Sequence, residues 1–149
     1  MSDDGYVPLA QQFADDEWEE VLTRWVKQAE PRALSLWLLG RLRRCEPPAS
    51  APLLDDMQRW VAVPDEKLRW QIFHQAETLG FDTPAGALAL SLFWSQGSMS
   101  PEGLEAVYPE PHLSTGMLRC ALLMLATRNA DNPADGTRHL LMQWAQEKA

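Results

Sequence analysis

Apolar positions recur along this chain at helical spacing, and no segment shows the period-two alternation of a half-buried strand. Trp18, Val21, Leu22 and Trp25 fall at i, i+3, i+4 and i+7 and predict a first helix over about residues 15–28, with Glu19, Glu20, Arg24 and Lys27 facing away. Asp15, Asp16 and Glu17 crowd its positive end, where carboxylates stabilise the helix dipole; an acidic docking patch is the other reading. A second helix opens at Pro31, pre-set for a first turn. Leu34, Leu36, Trp37, Leu38, Leu39 and Leu42 make it apolar nearly all round, so it should be well buried. Arg41, Arg43 and Arg44 suit its negative end, the alternative being an anion or acidic-partner site.

Three prolines in 46–52 make the clearest break in the chain. A short third helix follows, with Leu53, Leu54, Met57, Trp60 and Val61 as its stripe and Pro64 as its limit. The fourth starts with Asp65 and Glu66 and runs to Leu79, with Gly80 as a left-handed cap. Thr83-Pro84 is an N-cap followed by proline at the first helical position. From Ala85 to Trp94 only Gly86 and Ser91 interrupt the apolar residues of this fifth helix, which belongs mid-bundle. Residues 96–113 read as an ordered loop laying Leu104, Val107 and Tyr108 over a bundle end. Ser114 is expected to cap a sixth helix reaching about Arg128; 129–133 is a turn cluster, and a seventh helix carries Leu140, Leu141, Trp144 and Ala145. The pattern predicts one all-α domain over 1–149: an irregular bundle of about seven helices, with those near 84–95 and 115–128 central and a loose arm at about 1–13.

A chain of 149 residues can bury one continuous core. Its formal charge of −8 repels a phosphate backbone, which excludes nucleic acid and favours a basic partner. Cys45 and Cys120 sit in apolar helical stretches and are expected to be buried, reduced thiols. The acidic N-terminus is not expected to be a signal peptide. The runs 87–94 and 120–126 fall far short of the roughly 20 apolar residues of a membrane span, so no membrane insertion and a cytoplasmic location are expected.

Chemistry is hard to find. His74, His112 and His139 have no metal-ligand spacing, and no phosphate loop or nucleophile elbow is present. Asp135 and His139 at i, i+4 suit an ion pair rather than a catalytic dyad. No catalytic residue, metal site or cofactor is expected.

Seven tryptophans, distributed over nearly all the helices, point instead to packing and recognition, since Trp is enriched at interaction hot spots. Trp70 is the odd one. The stripe of its helix is Leu68, Ile72, Ala76 and Leu79, and Trp70 lies opposite, among Glu66, His74 and Glu77, with Phe73 bridging the edge. Either it packs beneath a loop or against the third helix, or it faces a basic, partly apolar segment of a partner. Arg119, inside an otherwise apolar helix, must be paired, snorkel at the helix start or face a groove, because an unpaired buried guanidinium is costly. Trp70, Phe73, Glu66, His74, Glu77 and Arg119 are the candidate partner-binding residues.

The run Ala87-Leu88-Ala89-Leu90-Ser91-Leu92-Phe93-Trp94-Ser95-Gln96-Gly97-Ser98-Met99, followed by Pro109-Glu110-Pro111-His112-Leu113-Ser114, resembles a domain-of-unknown-function group of small helical bacterial proteins. In that group an Ala-rich helix ends in a Gly-Ser segment, and a Pro-rich loop leads into a second apolar helix. Its members occur among type VI secretion genes, so the resemblance, over the C-terminal half, implies an accessory role there and carries over no catalytic residue.

The reading is a non-enzymatic, cytoplasmic protein–protein interaction module, an adaptor or accessory of type VI secretion. Two alternatives stand beside it: an immunity protein whose acidic surface plugs a basic effector, and a small hydrolase or ligand-binding bundle with an unrecognised site. Oligomeric state is left open.

Overall fold

A computed structural model describes residues 14–45, 47–101, 103–128 and 130–148. The arm expected at about 1–13 lies outside them, as do Glu46 and Asn129 of the two predicted breaks. Seven α-helices follow in order among the described residues, with no strand: α1 (Trp18–Gln28), α2 (Pro31–Cys45), α3 (Ala51–Ala62), α4 (Glu66–Leu79), α5 (Pro84–Ser95), α6 (Pro111–Arg128) and α7 (Pro133–Lys148). Short 3₁₀ turns at Asp15–Glu17 and Pro48–Ser50 lead into α1 and α3.

The caps expected from the residue types are present. Asp65 Oδ2 accepts the Leu68 N–H at 2.9 Å to start α4, and Thr83 Oγ1 accepts the Gly86 N–H at 3.0 Å to start α5. Gly80 ends α4 at φ +111°, a conformation that side chains avoid, but with ψ 130° it is extended rather than the left-handed helical cap expected.

Every residue of α5 from Pro84 to Phe93 is buried. It packs most extensively against α6 and also touches α2, α3 and α4, while α6 carries α1 and α7. These two helices are therefore the centre. They differ in one respect: α6 buries Leu118, Ala121, Leu122, Leu125 and Ala126, but Met117, Leu123 and Met124 stay half-buried on its outer side. Ser114 does not cap α6, which begins three residues earlier at Pro111. Its hydroxyl instead donates to the Ser91 carbonyl at 2.7 Å while the Ser91 hydroxyl donates to the Ser114 carbonyl at 2.8 Å. This reciprocal pair satisfies the one polar interruption of α5.

Several expectations give way to tertiary context. The second helix is one-sided: Leu36 is exposed, and Leu34, Leu38, Leu39 and Leu42 form its buried face. Cys45 is an exposed thiol and Cys120 is half-buried, so neither is the fully buried residue expected. The arginines at the end of α2 tie helices together: Arg43 donates to Asp55 at 2.7 Å and to Gln58 at 2.9 Å, and Arg41 lies over Trp37 and 3.5 Å from Glu147. Asp15 accepts from Arg138 of α7 at 2.6 Å; that bond, with the charges of Asp15 and Asp135 adding to it against burial, raises the guanidinium pKa further. Asp135 pairs with this same Arg138 at 2.8 Å rather than with His139.

Candidate functional site

Five of the six candidate residues share one side of α4, and the structure links them through a residue that sequence reasoning overlooked. Arg69 is 2 % exposed, held between α4 and the end of α5. Its Nε donates to the Phe93 carbonyl at 3.1 Å, one of the last carbonyls of α5 and so without a partner inside its own helix. Its Nη1 meets both oxygens of Glu66 at 3.0 and 2.8 Å, and Nη2 donates to the Ser98 carbonyl at 2.7 Å. The guanidinium lies 4.0 Å from the Phe93 ring centroid, a cation–π contact in a water-poor setting. A buried charge tolerates such a place only when paired and hydrogen-bonded throughout, as this one is.

Arg69 thereby fastens the loop that follows α5. Gly97 has φ +89° and sits flat against it: a Cβ there would lie 2.7 Å from the Arg69 guanidinium carbon. Ser98 then closes the loop on itself. Its hydroxyl donates to the Val107 carbonyl at 3.2 Å and accepts the Val107 N–H at 2.9 Å and the Ser100 N–H at 3.0 Å, while the Met99 N–H reaches the Val107 carbonyl at 2.6 Å. The side chains that this scaffold carries do not cover the bundle end, contrary to expectation. Leu104, Val107 and Tyr108 are exposed by 67, 49 and 70 %. Satisfied main-chain bonds thus coexist with bare apolar side chains in this loop.

Glu66 extends the same network outward by accepting the Trp70 indole N–H at 3.1 Å. Trp70 is half-buried, its ring edge-on to Phe93 at 4.8 Å and to Phe73 at 5.7 Å. Phe73 is half-buried as well, stacked with Phe93 at 4.6 Å and Phe81 at 5.7 Å. His74 lies 6.0 Å from Trp70 and 3.8 Å from Glu77, both exposed. The acidic rim expected around Trp70 is thus mostly occupied: Glu66 answers Arg69 and the indole, and Glu77 stands beside His74. Beside these groups the half-buried Trp70 ring leaves part of its edge open.

Arg119 does not join this group. On α6, its Nε donates to Thr23 Oγ1 at 2.8 Å and its Nη2 lies 4.0 Å from Glu19, so it pins α6 to α1. Asp56, also unforeseen, is buried and accepts Gln71 and Gln75 at 2.8 and 2.7 Å as well as Arg59 at 2.6 Å, joining α3 to α4. One signal for Arg69 was available. It stands at i with Ile72 at i+3 and Ala76 at i+7, a cation on the buried stripe, three residues after a glutamate.

Among the described residues no group of three or more His, Cys, Asp or Glu side chains is placed to hold a metal ion, and no helix is long and apolar enough to cross a membrane. Residues 9–147 match a family of unknown function, DUF6931, and the chain belongs to that family. The match reaches well beyond the C-terminal half where a resemblance was legible. No curated protein and no solved structure matches the chain.

Proposed function

With membership of that family as the premise, we propose that the protein is a non-enzymatic protein–protein interaction module that docks an apolar segment on the 98–110 loop and the Trp70 edge, which Glu66 and Arg69 link to it. The observation that carries this reading is the pairing of a tied backbone with exposed Leu104, Val107 and Tyr108. A loop held in shape before binding loses little conformational entropy on docking, and its apolar side chains gain by leaving water. Tyr and Trp supply large contact area with few rotatable bonds.

The finer reading is an accessory or adaptor of type VI secretion in the bacterial cytoplasm. The resemblance of residues 87–99 and 109–114 supports it. Affinity capture from the native cell with the full chain, beside a Leu104→Ala/Val107→Ala/Tyr108→Ala variant, tests both levels. Secretion-apparatus proteins held by the first and lost by the second support the adaptor role. A single basic toxin lost in the same way would make the protein an immunity factor. Equal capture by both proteins, with unchanged affinity for each captured partner, would sink the loop as the docking surface.

A further inference from the structure

A cavity lies elsewhere among the described residues, between the start of α2 and the ends of α3 and α5, and measures about 300 Å³. Its inner wall is apolar: Trp60, Val61 and Leu92 are all buried. Four serines also line it, and three of their hydroxyls are spent. Ser91 and Ser114 bond each other's backbone, and Ser95 donates to the Leu92 carbonyl at 2.5 Å. Ser35 is the exception. It is 5 % exposed, lines the cavity from the second turn of α2, and its hydroxyl makes no hydrogen bond among the described residues. Reached from the cavity, that hydroxyl is free to donate to a molecule placed there.

At the mouth stands Arg32, in the first turn of the same helix. Its guanidinium makes one long contact, Nη2 to the Val61 carbonyl at 3.4 Å, and the remaining donors have no acceptor among the described residues. Glu30, the one carboxylate lining the cavity, already accepts the Arg32 backbone N–H.

We propose that this cavity binds a small monocarboxylic acid with a compact apolar body. Its carboxylate accepts from Ser35 and Arg32, and its body lies against Trp60, Val61 and Leu92. One cation facing one carboxylate favours a single negative charge over a phosphate or a dianion. The volume sits at the small end of ligand pockets, which admits a ring or short chain and excludes a cofactor.

The test is a chemical-shift titration of the full chain with benzoate as probe, its neutral isostere benzamide as control, and the variants Arg32→Gln and Ser35→Ala. Arg32 is exposed, so its replacement leaves the fold intact and keeps the test decisive even if Ser35→Ala unsettles the protein. Saturable benzoate shifts centred on residues 32, 35, 60 and 92 are expected. Affinity should exceed that for benzamide and fall about tenfold or more in Arg32→Gln, the effect of losing a charge-assisted hydrogen bond. No saturation at millimolar benzoate, equal affinity for benzamide, indifference to Arg32→Gln, or shifts centred on Trp70 would each overturn the proposal. The Leu104→Ala/Val107→Ala/Tyr108→Ala variant should bind benzoate as well as the native chain, which separates this site from the docking loop.

Discussion

Two aromatic clusters hold four of the seven tryptophans of this protein, and they show how differently one residue type is used. Trp25, Trp37 and Trp144 meet where α1, α2 and α7 converge, with ring centroids 5.5–6.2 Å apart. Trp25 and Trp144 are fully buried there. Trp70, Phe73 and Phe93 stack at similar separations where α4 meets α5, with Phe81 of the intervening turn against Phe73. The first cluster is closed by three helices and makes up core. The second is closed on one side by α5 and on another by the Arg69–Glu66 pair, leaving an aromatic edge open. Ring spacing does not separate the two; the number of elements that cover them does.

Trp25→Ala should be the most damaging of the changes that probe this contrast. Emptying an indole-sized space among three helices is expected to cost about 3–5 kcal/mol, read as a lower urea midpoint with an unchanged slope. A loss under about 1 kcal/mol would mean that the triad is less tightly closed than its burial indicates.

Arg69→Met comes next, because it strikes the device that bounds the second cluster. The Phe93 and Ser98 carbonyls lose their donor, and an unsatisfied buried acceptor costs about 1–3 kcal/mol, so a loss of about 2–4 kcal/mol is expected for the two. Hydrogen exchange supplies the more specific readout. The Met99 and Val107 amides should exchange faster while those of α1 and α2 keep their protection. Uniform acceleration throughout the chain would mean that Arg69 supports the whole bundle rather than the loop.

Trp70→Ala should be milder, at about 1 kcal/mol, since it removes one half-buried ring and its edge-on partners rather than opening a core cavity. Partner affinity should fall about tenfold or more, as when a hot spot of about 2 kcal/mol is lost. A stability loss matching that of Trp25→Ala would erase the distinction between the clusters. The smallest effect belongs to the combined Leu104→Ala/Val107→Ala/Tyr108→Ala change, where exposed side chains should alter stability by within about 0.5 kcal/mol while capture of a partner is lost. Thermal melts beside quantitative binding decide both cases.

Most of the bundle was legible because helical burial repeats locally. The stripes Val21-Leu22-Trp25, Leu53-Leu54-Met57-Trp60-Val61 and Leu140-Leu141-Trp144-Ala145 are buried as their spacing predicts. The nearly continuous apolar run of α5 placed it at the centre, where it is. Of the site, the position of Trp70 off the stripe was readable, and its closeness to Glu66 and Phe73 followed from helical spacing. Its contact with Phe93 was not, because those residues come from different helices. Leu36 and Cys45 misled for a related reason: an apolar residue in an apolar run is buried only if a neighbouring helix passes over it.

By itself the sequence determined the number, type and approximate limits of the helices, and the inward faces of α1, α3 and α7, since these depend on periodicity, caps and prolines within a few residues. Only the tertiary structure decided the rest. It turned Arg69 and Asp56 inward to partners on other elements, and set Arg119 against α1 rather than in the candidate site. It left Leu104, Val107 and Tyr108 bare on a fastened loop, and left the Ser35 hydroxyl facing a cavity. Each outcome turns on what approaches a side chain from a distant part of the chain, and neither polarity nor spacing encodes that approach.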